Sequence, residues 1–220
     1  MYRKFKEKYI GDAAFYKKVL MIVVPMIIQN LVTNFVSLLD NIMVGQVGTE
    51  QMSGVAIVNQ LMFVYYIAIF GAVSGAGIFG TQFYGKGDYK GQRHAFRFKM
   101  YACIVFALVT IVLFITAGTP LISLYLNDTG GVGDIQKALE FGQGYLRIMI
   151  IGIIPFAIGQ AYISTVRETG ETFVPMLASI AAVFINLVLD YMLIFGKFGA
   201  PELGVEGAAV ATVVARFVEL

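Results

Sequence analysis

Charge is what this sequence has least of. Asp, Glu, Lys and Arg together make up 14% of its 220 residues, where soluble domains carry about a quarter. Beside 58% apolar residues, that scarcity excludes an ordinary soluble domain. Cysteine occurs once, at Cys103, so no intrachain disulfide can form, and its apolar setting suits a small buried hydrophobe. The one histidine, His94, sits among basic residues and needs no metal partner. No GxxxxGK[ST] stretch occurs, which excludes ATP binding through a P-loop. The acids in GKGD (85–88) and GVGD (131–134) stand in polar links. An intramembrane aspartyl protease would need such an acid inside a span. The net charge of +2 is uninformative as a total, and no nucleic-acid partner is expected.

What is present is a succession of apolar runs of about 20 residues, each long enough to cross a bilayer. They predict an all-α polytopic membrane protein: a bundle of five complete transmembrane helices and an unfinished sixth. The expected spans are 19–45, 55–83, 100–118 (stopping by Pro120), 139–163 (kinked at Pro155) and 174–195, with a start at 208–220. Residues 1–18 form a basic cytoplasmic segment and 19–220 the membrane lobe. The first run is too long for a signal peptide's apolar region. About 13 residues from Ala208 cannot cross the hydrocarbon core, so the lobe is expected to be truncated in its sixth helix. Lys and Arg concentrate before the first span and between Lys86 and Lys99. The positive-inside tendency then predicts a cytoplasmic N-terminus in a cell membrane. In the second span, Ala68, Ala72, Ala76 and Gly80, with Gly71 and Gly75 alongside, make a small-residue stripe suited to close helix packing.

The first span carries the chemistry. Asn30, Thr33, Asn34, Ser37, Asp40 and Asn41 recur at helical spacing and share one face, which lipid cannot solvate. Asp40 falls in the outer half of the membrane, roughly 30 Å along the helix from Val19. Asn186 and Asp190, one turn apart in the fifth span, and Thr212 in the sixth fall at a similar depth. Two carboxyls close together in a poorly solvated cavity are costly to ionise together, so the group suits uptake of a proton or a cation. Arg147 is a possible counter-charge, and interfacial snorkelling suits it equally. Pro25 removes one backbone hydrogen bond, which should loosen or bend the first helix.

In this order, Pro25 with Asp40, DNIMVGQVGTEQMSGVA, GTQFYGKGD, RETGETFVPM, NLVLDYMLIFG and GVEGAAVATVVAR resemble the N-terminal half of a multidrug and toxic compound extrusion (MATE) transporter. The resemblance implies one lobe of a twelve-helix protein, with two six-helix bundles forming a V around a central cavity. It implies that Asp40, Asn186, Asp190 and Thr212 are the N-lobe cation-binding group, and that Pro25 lets the first helix bend when Asp40 changes protonation. Asn30, Thr33, Asn34 and Ser37 would line the cavity. The implied activity is export of amphipathic or cationic small molecules, coupled to protons or sodium, with no cofactor and no metal beyond sodium. The expected partners are membrane lipids, the substrates and a missing C-terminal lobe, or a second copy of the chain. The chain alone is expected not to catalyse coupled transport. A lipid-linked or polysaccharide flippase and a non-transporting membrane fragment are the alternatives.

Overall fold

The computed structural model describes residues 11–128 and 134–220. Among these, seven helices and no strand are found: α1 Ala13–Val47, α2 Thr49–Gly85, α3 Tyr89–Asp128, α4 Ile135–Ile151, α5 Ile153–Glu168, α6 Phe173–Phe195 and α7 Val205–Glu219. Four of them (α1, α2, α3 and α6) are long and apolar enough to cross a membrane, and α4 with α5 pass the same test as a bent pair, which makes five if the pair is counted as one span. The protein is an all-α, multi-pass membrane protein. α7 has 15 residues, about 22 Å of helix.

Short polar side chains set the helix starts. Asp12 Oδ1 accepts from Phe15 N at 2.7 Å, so α1 begins at Ala13, before the apolar run does. The acids of both Gly-x-Gly-Asp stretches are caps. Asp88 Oδ1 accepts from Gly91 N at 2.9 Å, and Asp134 Oδ1 accepts from Gln136 N at 3.0 Å and Lys137 N at 3.3 Å. Each satisfies N–H groups that a helix start leaves unpaired. Residues 129–133 fall outside the described residues, as do residues 1–10, where most of the first basic cluster lies. α6 ends at Gly196, whose φ of 63° is left-handed, a conformation glycine adopts without steric cost.

Three boundaries differ from expectation. α3 does not stop at Pro120 but runs through it to Asp128; a membrane helix tolerates proline because its surroundings re-satisfy the freed backbone groups. The same helix starts at Tyr89, so most of the expected Lys86–Lys99 loop is helical. In the fourth span the discontinuity falls at Gly152 rather than Pro155, with α4 and α5 bent by 47°. Pro155 sits in the first turn of α5, where its missing N–H costs nothing.

The core lies where α2 packs on α3, α4 and α5, around Val58, Met62, Ile69, Cys103, Ile122 and Met149, all 2% exposed or less. Gly54 allows the closest approach: a Cβ there would meet Ala138 O at 2.5 Å and Gly142 N at 2.7 Å. The small-residue stripe divides. Ala76 and Gly80 are buried, whereas Gly71 and Gly75 have nothing within 4 Å of a Cβ position. α1 stands at the margin, packed chiefly on α6, and α6 packs on α7. Leu31 and Phe35 of α1 remain more than 60% exposed, as suits a face turned to lipid or to another bundle.

Candidate functional site

Three of the helices carry the predicted polar residues, and the structure brings those residues into two adjoining groups. Asp40 of α1 and Asp190 of α6 lie near enough to interact electrostatically. Asp190 is fully buried, and neither of its carboxylate oxygens has a hydrogen-bond partner; the same holds for Asp40 Oδ1 and Asn186 Nδ2. Buried polar atoms are normally paired, so this cluster stands out. Tyr145 of α4 joins it. Its hydroxyl donates to Asn59 Oδ1 at 3.4 Å, and its ring lies within electrostatic reach of both Asp40 and Asp190. One tyrosine in an apolar run gave no sequence signal.

Asn186 and Thr212 also belong to the second group, the wall of a cavity of about 340 Å³ between α1, α5, α6 and α7. Asn30 and Thr33 of α1 line it as well. Asn34 and Ser37 lie on the exposed face of α1, outside this cavity. Pro25 is half-buried within a continuous α1. Arg147, on α4, is exposed.

The cavity contains groups that the polar stripe did not reveal. Arg167 Nη2 donates to Gln29 Oε1 at 2.6 Å, Gln29 Nε2 donates to Ser179 Oγ at 2.5 Å, and Ser179 Oγ donates to Glu219 Oε1 at 2.5 Å. This relay ties α5, α1, α6 and α7 together along one wall. Arg216 of α7 donates to the Tyr66 hydroxyl and lies over the rings of Tyr66 and Phe156, 5.5 and 5.3 Å from their centroids. The sequence signal for these residues was their presence in or beside apolar runs, where ionisable side chains are rare.

A separate buried cluster is fully paired on its cationic side. Lys99, expected in a cytoplasmic loop, is wholly buried where α3 meets α5. Its Nζ donates to Glu168 Oε1 at 2.5 Å, Thr165 Oγ1 at 2.8 Å and Ser164 Oγ at 3.4 Å, which uses all three ammonium protons. Gly80 of α2 leaves room for the Glu168 carboxylate.

Among the described residues no group of three or more His, Cys, Asp or Glu is arranged to hold a metal. The geometry offers a site of unpaired carboxyls beside a polar cavity.

Comparison with known proteins shows which family the chain belongs to. The MatE family model matches residues 25–192. The chain is 32% identical over 203 residues to a probable multidrug resistance protein NorM of Thermotoga maritima, covering 92% of this chain and 42% of that protein. A probable NorM of Bacillus subtilis is 31% identical over 198 residues, with 89% and 42% covered. Among solved structures, an outward-facing multidrug resistance MATE family transporter of the MOP superfamily superimposes with a TM-score of 0.78 at 22% identity, over 92% of this chain and 43% of that one. The chain thus spans about two fifths of the length of these relatives.

Proposed function

Because this chain belongs to the MatE family, we propose that it forms the N-terminal lobe of a secondary active multidrug exporter, driven by protons or sodium ions. The single observation that carries the coupling is the fully buried Asp190, with both carboxylate oxygens unpartnered and Asp40 within electrostatic reach. A buried, unpaired carboxylate is strongly disfavoured unless it is neutralised. A proton or a sodium ion between Asp40, Asn186 and Asp190, with Thr212 close by, neutralises it. Release of that cation leaves two repelling carboxylates, which biases the lobe towards a second arrangement of α1 on α6. Pro25 is the point at which α1 bends in that change.

The exported molecules are amphipathic or cationic, in keeping with a cavity whose wall mixes Phe156 and Ile163 with Asn30, Gln160 and Glu219. The relatives' length supports a second lobe of similar size as the partner, with a second copy of this chain as the substitute. The chain is placed in the cell membrane with its N-terminus in the cytoplasm, on the strength of the basic residues that precede the first apolar run.

Reconstitution in liposomes tests the reading. Flux of an amphipathic dye under an imposed proton or sodium gradient is expected when the lobe is complemented by its partner, and is expected to disappear in Asp40→Asn. Gradient-dependent flux that persists in Asp40→Asn and in Asp190→Asn alike would refute the coupling site.

A further inference from the structure

Three ionic side chains line the cavity between α1, α5, α6 and α7: Arg167, Arg216 and Glu219. Glu219 lies within electrostatic reach of Arg167 and offsets it through the Gln29–Ser179 relay. Arg216 has no carboxylate at ion-pairing distance among the described residues. It is 8% exposed, and its Nη1 has no hydrogen-bond partner. Its position is nevertheless fixed. The Tyr66 hydroxyl holds Nη2, and Tyr66 and Phe156 flank the guanidinium. Gly152, where α4 ends, leaves the space that the side chain fills, since a Cβ there would meet Arg216 Nη1 at 2.9 Å. The end of α4 contributes only about half a negative charge. A guanidinium held in place without an ion pair inside a membrane domain is a costly feature, and it is an arrangement that receives carboxylates and phosphates in fork geometry.

We propose that Arg216 anchors the carboxylate or phosphate of an amphipathic organic anion held in this cavity. The volume of about 340 Å³ falls within the roughly 300–1,000 Å³ of small-molecule sites. Phe156, Ile163 and Val183 offer the apolar part of the molecule a surface, and Gln160 and Asn30 offer polar contacts. The assignment rests on the export reading for its role in transport and gives the amphipathic substrates of that reading an acidic group. The binding itself needs no coupling, so the test reads binding alone.

The probes are 4-phenylbutyrate and its uncharged amide, titrated calorimetrically into the purified protein in phosphatidylcholine nanodiscs. The acid is expected to bind tighter than the amide by about tenfold or more, the range of one charge-assisted hydrogen bond. Arg216→Gln should abolish the preference and Arg216→Lys should retain part of it. Equal binding of acid and amide by the wild type would overturn the proposal without need of any variant, as would a preference unchanged in Arg216→Gln. Loss of acid binding in nanodiscs containing phosphatidylglycerol would support the same anchor with a lipid headgroup as the anion. Continued binding there would assign the anion to a soluble molecule. Failure of dye flux with the acid preference intact would count against the coupling site and leave the anchor standing.

Discussion

Two of the places where this molecule buries charge do so in opposite ways. At the junction of α3 and α5, Lys99 is met by a carboxylate and two hydroxyls. Between α1 and α6, Asp40 and Asp190 meet each other, and three of their four oxygens lack any partner. A buried ion pair stabilises one arrangement of helices, because breaking it strands a charge. Here the ammonium is fully satisfied, and Glu168 Oε2 is the carboxylate oxygen left without a partner. An unsatisfied pair of carboxyls stores a demand that an exchangeable cation can meet. The partition also follows the packing. α2 to α5 form the dense core, while α1 is held chiefly by α6 and is the element with freedom to respond.

The sharpest way to break this contrast is to neutralise the unpaired side. Asp190→Asn is expected to lower gradient-driven efflux by at least about tenfold, while stability stays within about 1 kcal/mol of wild type or rises, since a neutral amide is cheaper to bury. Efflux assays at matched protein levels, with thermal melts, check both halves; a strongly destabilised variant would place Asp190 with Lys99 as a structural charge.

Next in size is the paired side. Lys99→Ala should cost about 3–5 kcal/mol by stranding Glu168, read as a lowered denaturation midpoint in detergent. Lys99→Met combined with Glu168→Leu should recover most of that loss. Additive losses in the double variant would show that the pair is not coupled.

The smallest effects sharpen the packing half of the comparison. Gly80→Ala would press a methyl onto the Glu168 carboxylate, at an expected cost of about 1–3 kcal/mol. Gly71→Ala, with nothing within 4 Å, should be neutral or gain up to about 1 kcal/mol from helix propensity. Midpoints of the two variants measured side by side decide it, and equal shifts would remove the distinction.

Much of this was legible in the sequence because composition alone decides what lipid will accept. The spans, the polar stripe of α1 and the Asn186–Asp190 pair all follow from hydrophobicity and helical spacing. The stripe's division was not legible: Asn30 and Thr33 line a cavity, while Asn34 and Ser37, exposed like Asn30, lie outside it. Spacing fixes a face of one helix, but which neighbour covers each turn of it depends on helices far along the chain. Lys99 was misread for a related reason. Basic residues cluster in cytoplasmic loops, and only the approach of Ser164, Thr165 and Glu168 shows that this one is internal. The break at Gly152 was assigned to Pro155 because proline is the stronger local signal, yet a proline in the first turn of a helix disturbs nothing.

The bond from Gln29 to Ser179 joins residues 150 positions apart, and that separation has a cost in time. A ribosome adding about 5–20 residues per second needs roughly 8 to 30 s to reach Ser179 after Gln29 has been made. For that interval the first helix is in or beside the insertion machinery with its polar face uncovered. The nascent chain must therefore keep α1 next to the translocon, or shield it with another protein, until α6 arrives, and slowing synthesis between the two should lengthen the window in which quality-control proteases can act.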